Sequence, residues 1–131
     1  MVVGTVRFNR EVYPAHYLIS LDCPEGFSAP VPGQFVMLRF RDRQDPFLGR
    51  PFSVYSYERS RSGGVFEVLY RLLGKGTLAL SRLQEGDQLE VLGPLGTGFF
   101  IPPALSRVIL VAGGLGVAPL TYLAFHCRHR V

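Results

Sequence analysis

The chain has 131 residues, 47% of them hydrophobic and 18% charged, which suits a globular domain with a real core rather than a disordered chain. The formal net charge is +4, every cation except Lys75 is an arginine, and they are scattered along the chain, which argues against a nucleic-acid surface. The longest apolar stretch, residues 108–112 with its glycine-rich continuation, is too short and broken to span a bilayer, so no membrane association is expected.

Residues 2–8 open the chain as a strand. In residues 16–21, Tyr17, Ile19 and Leu21 alternate with His16, Leu18 and Ser20, although Leu18 blurs the pattern. Residues 35–40 form a third run, after the turn Pro32-Gly33-Gln34, and residues 51–57 a fourth. Residues 65–72 follow the turn Ser62-Gly63-Gly64, and residues 89–92 make a sixth run. Six short strands separated by Gly and Pro turns imply a mainly β architecture, a small antiparallel barrel or sandwich that closes without a long open edge. Residues 77–83 break the pattern, with Leu78, Leu80 and Leu83 at helical spacing and Thr77 expected as N-cap. From residue 107 the chain reads as a buried strand (108–112), a glycine turn and a helix (117–130), the opening of a βαβ unit. The expected division is therefore 1–103 for the barrel and 104–131 for the start of an α/β domain.

Cys23 and Cys127 are far apart and have no metal-ligand spacing, so both are expected as free thiols and no metal site is assigned. With no basic-then-apolar leader at the N-terminus, the expected location is the cytoplasm.

Three motifs carry chemistry. The first is Arg50-Pro51-Phe52-Ser53. Arginine presents a rigid charged fork suited to phosphate oxygens, and Pro51 confines both itself and Arg50 to extended backbone. In a strand, Arg50, Phe52 and Val54 point one way and Pro51, Ser53 and Tyr55 the other. A cation, rings and hydroxyls together suit a ligand with a flat ring, a polar chain and a diphosphate. The same stretch also describes an ordinary strand with a surface arginine and core aromatics. The second motif joins the strand end Leu69-Tyr70-Arg71 to Gly74-Lys75-Gly76-Thr77, where glycines let backbone approach an anion at a helix start. Taken alone, it also describes a capped glycine turn. The third is Gly113-Gly114-Leu115-Gly116 between strand and helix, a dinucleotide-type turn that departs from the strict spacing because Pro119 stands where the third glycine belongs.

In this order, and with Gly93-Pro-Leu-Gly-Thr-Gly-Phe99 between them, these motifs resemble the ferredoxin reductase-like flavoproteins. Together with the turn Val31-Pro-Gly-Gln-Phe-Val-Met37, they resemble in particular the electron-transfer subunit of bacterial dihydroorotate dehydrogenase, over essentially the whole chain. The resemblance implies a six-stranded Greek-key FAD-binding barrel followed by the first strand and helix of a nucleotide-binding domain. It implies that Arg50, Pro51, Phe52 and Ser53 bind FAD, with Arg50 on the diphosphate, Phe52 where some relatives carry a tyrosine against the flavin, and Ser53 near the reactive edge. Leu69, Tyr70 and Arg71 then contact the ribityl and adenosine parts. Gly76 and Thr77 hold the diphosphate, and Gly113, Gly114 and Gly116 belong to the NAD(P)H site. No side chain is assigned as a catalytic acid or base.

The implied activity is electron transfer in pyrimidine biosynthesis, from NAD(P)H through FAD to an iron–sulfur centre and a partner dehydrogenase subunit. Relatives continue for roughly another domain's length. They then carry the cysteines of a [2Fe-2S] cluster, which is not in this chain. Full activity is therefore not expected of these residues alone. Two alternatives stay open. One is a non-catalytic binding or assembly module whose exposed 108–125 region is covered in a homodimer. The other is a different flavin reductase of the same superfamily.

Overall fold

The computed structural model describes residues 1–42 and 49–128. Six strands, β1 (Val2–Tyr13), β2 (His16–Pro24), β3 (Phe35–Phe40), β4 (Arg50–Ser60), β5 (Gly63–Arg71) and β6 (Gln88–Leu95), close into a barrel in the order β1-β2-β5-β4-β3-β6. Every pairing is antiparallel. Helix α1 (Lys75–Ser81) joins β5 to β6, and helix α2 (Val117–Arg128) follows a 3-10 turn at Gly114–Gly116.

The alternation read in the sequence is what closes the barrel. Ile19 and Leu21 of β2, Val36 of β3, Val54 of β4, Phe66 and Val68 of β5, and Leu89 and Val91 of β6 all point inward and are fully buried. Each such side chain contributes about 1.5–3 kcal/mol by leaving water. Leu80 of α1 joins this core. The β4–β5 hairpin turns through Gly63, whose φ of +141° and whose position against the Cys23 carbonyl leave no room for a Cβ. On β2, Leu18 is buried although it faces outward, on the wall of the groove that Tyr122 and Phe125 of α2 also line. That is why Leu18 blurs the alternation.

Three local expectations are corrected. Residues 108–112 are not a strand but an exposed segment without regular structure, with Ile109 and Val111 more than four-fifths exposed. The barrel is already closed, so it offers this segment no strand edge to pair with. Thr77 is not the N-cap of α1: Gly74 is, and the helix begins at Lys75. Thr77 instead sits in the first turn with its side chain folded back. Helix α2 is described to Arg128, so the rest of the expected span to residue 130 lies outside the described residues.

Candidate functional site

The first two motifs meet because β4 changes partner along its length. Its first residues pair with β3, from Leu38↔Arg50 to Phe35↔Ser53. Its later residues pair with β5, from Val54↔Val68 to Ser60↔Gly63. A bulge at Tyr55 marks the handover. Before Val54, β4 and β5 part. Arg50–Ser53 flank one side of the resulting cleft and Leu69–Arg71 the other, with α1 starting just beyond the end of β5. Gln34 pins this corner. Its carbonyl accepts from the Val54 N–H at 3.1 Å, its side-chain Nε2 donates to the Gly96 carbonyl at 2.8 Å, and its Oε1 accepts from the Val31 N–H at 3.0 Å.

Within the cleft, the Arg50 guanidinium lies against Gly76 so closely that a Cβ there would fall 2.0 Å from its Cζ. Gly76 is buried in the first turn of α1. Thr77 Oγ1 accepts from the Leu73 N–H at 2.9 Å and the Gly74 N–H at 3.2 Å, and donates to the Gly74 carbonyl at 3.1 Å. Its hydroxyl therefore shapes the turn, and what remains to offer a ligand is its backbone.

Phe52 is half-buried beside the core, edge-on to the Tyr70 ring with centroids 6.0 Å apart. Tyr70 is 1% exposed, and its hydroxyl donates to Asn9 Oδ1 at 2.9 Å. Burial pushes the Tyr70 phenol well above its ordinary range, against the opposing pull of the Asn9 hydrogen bond. Pro51 is exposed opposite Met37, and Ser53 sits half-buried at the handover opposite Phe35. Leu69 points outward, opposite Leu18, and Arg71 is exposed opposite His16.

Gly113, Gly114 and Gly116 stay exposed, with open space around them, on a 3-10 turn that approaches β5. Helix α2 packs against β4, and its Tyr122 hydroxyl donates to the Pro30 carbonyl at 2.7 Å.

A groove of about 660 Å³ lies elsewhere, between α2 and the outer face of the sheet, with Arg7, Arg10, Tyr55, Glu67 and Tyr122 on its walls. Its two arginines are balanced by Glu58 and Glu67, and none of the motif residues lines it. The space enclosed beside Arg50, Phe52 and Gly76 is only about 10 Å³, so these residues pack closely against Leu38, Leu80 and Leu89 at this end of the barrel. Cys23 is buried, with its thiol pushed up to about 12 by desolvation and the nearby Asp22 carboxylate, whereas Cys127 is partly exposed; both are free thiols.

Asn9 is the residue that motif reading missed, and Gln34 entered only as part of the turn 31–37, with no role of its own. Each is an ordinary polar residue in sequence, and only the fold shows which backbone groups it ties down.

A family profile described as an oxidoreductase FAD-binding domain matches residues 15–100. The chain is 43% identical over 112 residues to the dihydroorotate dehydrogenase B (NAD(+)) electron transfer subunit of Desulforamulus reducens, covering 86% of this chain and 42% of that protein. It is 42% identical over 124 residues to the subunit of that name from Listeria monocytogenes serovar 1/2a, covering 93% of this chain and 46% of the relative. The chain thus spans less than half the length of these curated relatives. Among solved structures, an NADH-dependent reduced ferredoxin-NADP oxidoreductase studied for flavin-based electron bifurcation superposes with a TM-score of 0.82 at 26% identity, over 97% of this chain and 44% of that one. The ferredoxin reductase of carbazole 1,9a-dioxygenase shares the fold, with a TM-score of 0.84 at 20% identity, over 99% of this chain and 40% of that one.

Proposed function

This chain belongs to the oxidoreductase FAD-binding domain family, and from that premise we propose that it holds FAD in the cleft where β4 and β5 part. What carries the reading is the cradle at α1: the Arg50 guanidinium occupies the place that any side chain at position 76 would take. A cation so placed beside a first helical turn suits a diphosphate. Arg50 neutralises its charge, and the backbone N–H groups of Gly76 and Thr77 take the oxygens that face α1. Pro51 keeps Arg50 extended. Phe52 and Ser53 flank the ring system, with Phe52 held in place from the core side by the edge of the buried Tyr70 ring. Leu69, Tyr70 and Arg71 contact the ribityl and adenosine parts, and Tyr70 does so through its backbone because its ring faces the core. Gly113, Gly114 and Gly116 serve the nicotinamide dinucleotide.

Bound there, the flavin supplies two-electron acceptance from NAD(P)H and one-electron release towards an iron–sulfur centre, while the protein supplies position and electrostatics. The wider role is that of the similar subunits: electron delivery to a partner dehydrogenase subunit in pyrimidine biosynthesis, in the cytoplasm. Residues 1–103 act as the FAD-binding unit, and 104–131 begin a nucleotide-binding domain. The test is to titrate the apo chain with FAD and follow flavin fluorescence. Saturation at micromolar protein supports the reading, and no saturable change rejects it.

The exposure of Ile109 and Val111 favours a second, compatible reading, in which segment 108–112 is covered in a homodimer. Sedimentation as a clean monomer would reject that part.

A further inference from the structure

We propose that Asn9 is the positioning residue of this cradle, setting where α1 lies and so where Gly76 holds the Arg50 guanidinium. The inference rests on the reading that Arg50 grips a flavin diphosphate.

Asn9 is the single asparagine of the chain. It lies on β1 opposite Ile19, beyond the stretch of β1 that pairs with β6. Its Nδ2 donates to the Leu80 carbonyl at 2.8 Å and the Leu83 carbonyl at 3.2 Å, and its Oδ1 accepts from the Tyr70 hydroxyl at 2.9 Å. These contacts fix the amide's orientation, because a flipped amide would set its oxygen against two carbonyl oxygens.

The last carbonyls of a helix lack partners within it, and a helix as short as α1 is marginal without tertiary support. No basic side chain stands in its last turn. The Leu80 carbonyl already accepts from the Leu83 N–H at 3.1 Å, so the amide of Asn9 adds a second, side-chain tether from β1 to the end of α1 and to Leu83 just beyond it. Gly76 lies four residues before Leu80, about 6 Å along the axis of the same short element. A tilt at the tether therefore moves Gly76 relative to Arg50, whose guanidinium packs directly on that glycine. Tyr70 carries the same constraint to β4. Its hydroxyl is held by Asn9, and its ring meets the edge of Phe52, two residues from Arg50. One amide thus joins β1, β5 and α1, and through the Tyr70 ring it bears on β4.

The experiment compares FAD with riboflavin, which has no phosphate, by fluorescence titration of the 131-residue chain. The variants are N9A, N9D, R50K and the double variant N9A/R50K, each checked for folding by circular dichroism at the titration temperature. N9D keeps an acceptor for Tyr70 but replaces the donors to Leu80 and Leu83 with a carboxylate oxygen that repels both carbonyls, so it is the more severe break at α1. The expected result is that N9A weakens FAD about tenfold, while riboflavin changes by less than about twofold. Because Asn9 acts through Arg50, N9A adds less than about twofold in the R50K background. Unchanged FAD affinity in folded N9A or N9D overturns the inference, as does full additivity with R50K. Failure of both variants to fold overturns it too, and assigns Asn9 to barrel stability instead. No FAD binding by the wild type overturns the flavin reading and this inference with it, whereas wild-type binding without loss in N9A overturns this inference alone.

Discussion

The Arg50 guanidinium lies where a side chain on Gly76 would have to be: a Cβ on that glycine would fall 2.0 Å from Cζ and 2.1 Å from Nε of the arginine. Gly76→Ala therefore displaces the guanidinium, which can swing away on its flexible stem. The expected outcome is a loss of FAD affinity of about tenfold or more in a fluorescence titration. Stability changes little, because alanine is the better helix former by about 1 kcal/mol. A large drop in Tm with unchanged affinity would show the glycine to be a packing requirement only.

Thr77 acts on the same turn from inside. Replacing it with valine keeps the shape and removes the acceptor for the Leu73 and Gly74 N–H groups. The expected cost is about 1 kcal/mol in urea unfolding, the size of a lost helix cap. Thr77→Ser, which keeps the hydroxyl, should recover most of it.

Tyr122 anchors α2 to the barrel through the Pro30 carbonyl. Tyr122→Phe removes that one bond, at about 1 kcal/mol. The local effect should exceed the global one. Limited proteolysis in residues 104–112 should speed up several-fold while the barrel resists, because α2 is what keeps this exposed segment close to the barrel. An unchanged cleavage rate would contradict this role for the hydroxyl.

Cys23 makes stability fall at high pH. Burial raises its thiol from 9.0 to about 12. The group is neutral in both states below pH 9, so its contribution is fully present there. Between pH 9 and about 12 the unfolded chain releases the proton and the folded chain does not, so stability is lost as pH rises through that window. Urea unfolding of the wild type should lose up to about 1.4 kcal/mol more per pH unit in this window than Cys23→Ala does. Parallel curves for the two proteins would contradict it. At neutral pH a thiol reagent should label the partly exposed Cys127 and leave Cys23 intact until unfolding.

The barrel was legible because its signal is local. Ile19, Leu21, Phe66 and Val68 alternate with outward residues, and Gly and Pro punctuate the runs between strands. The strand at 108–112 was not realised, because an apolar run becomes a strand only when another strand pairs with it, and pairing is not written in the run itself. The motif residues Arg50 and Gly76 were legible as residue types. Their contact was not, since it depends on β4 leaving β3 for β5 at Ser53–Val54. Tyr70 was expected to meet the ligand, yet its ring points into the core, as its place between the outward-facing Leu69 and Arg71 on β5 requires. Asn9 carried no signal, because its partners are 61 to 74 residues away in the chain.

The cradle beside Arg50 is tested most directly by phosphorus NMR of FAD in the presence of the apo chain. The account predicts that both diphosphate resonances shift and broaden with the wild type and that Arg50→Lys largely restores their free positions. Diphosphate signals left at their free positions by saturating wild-type protein, or shifted equally by Arg50→Lys, would contradict it.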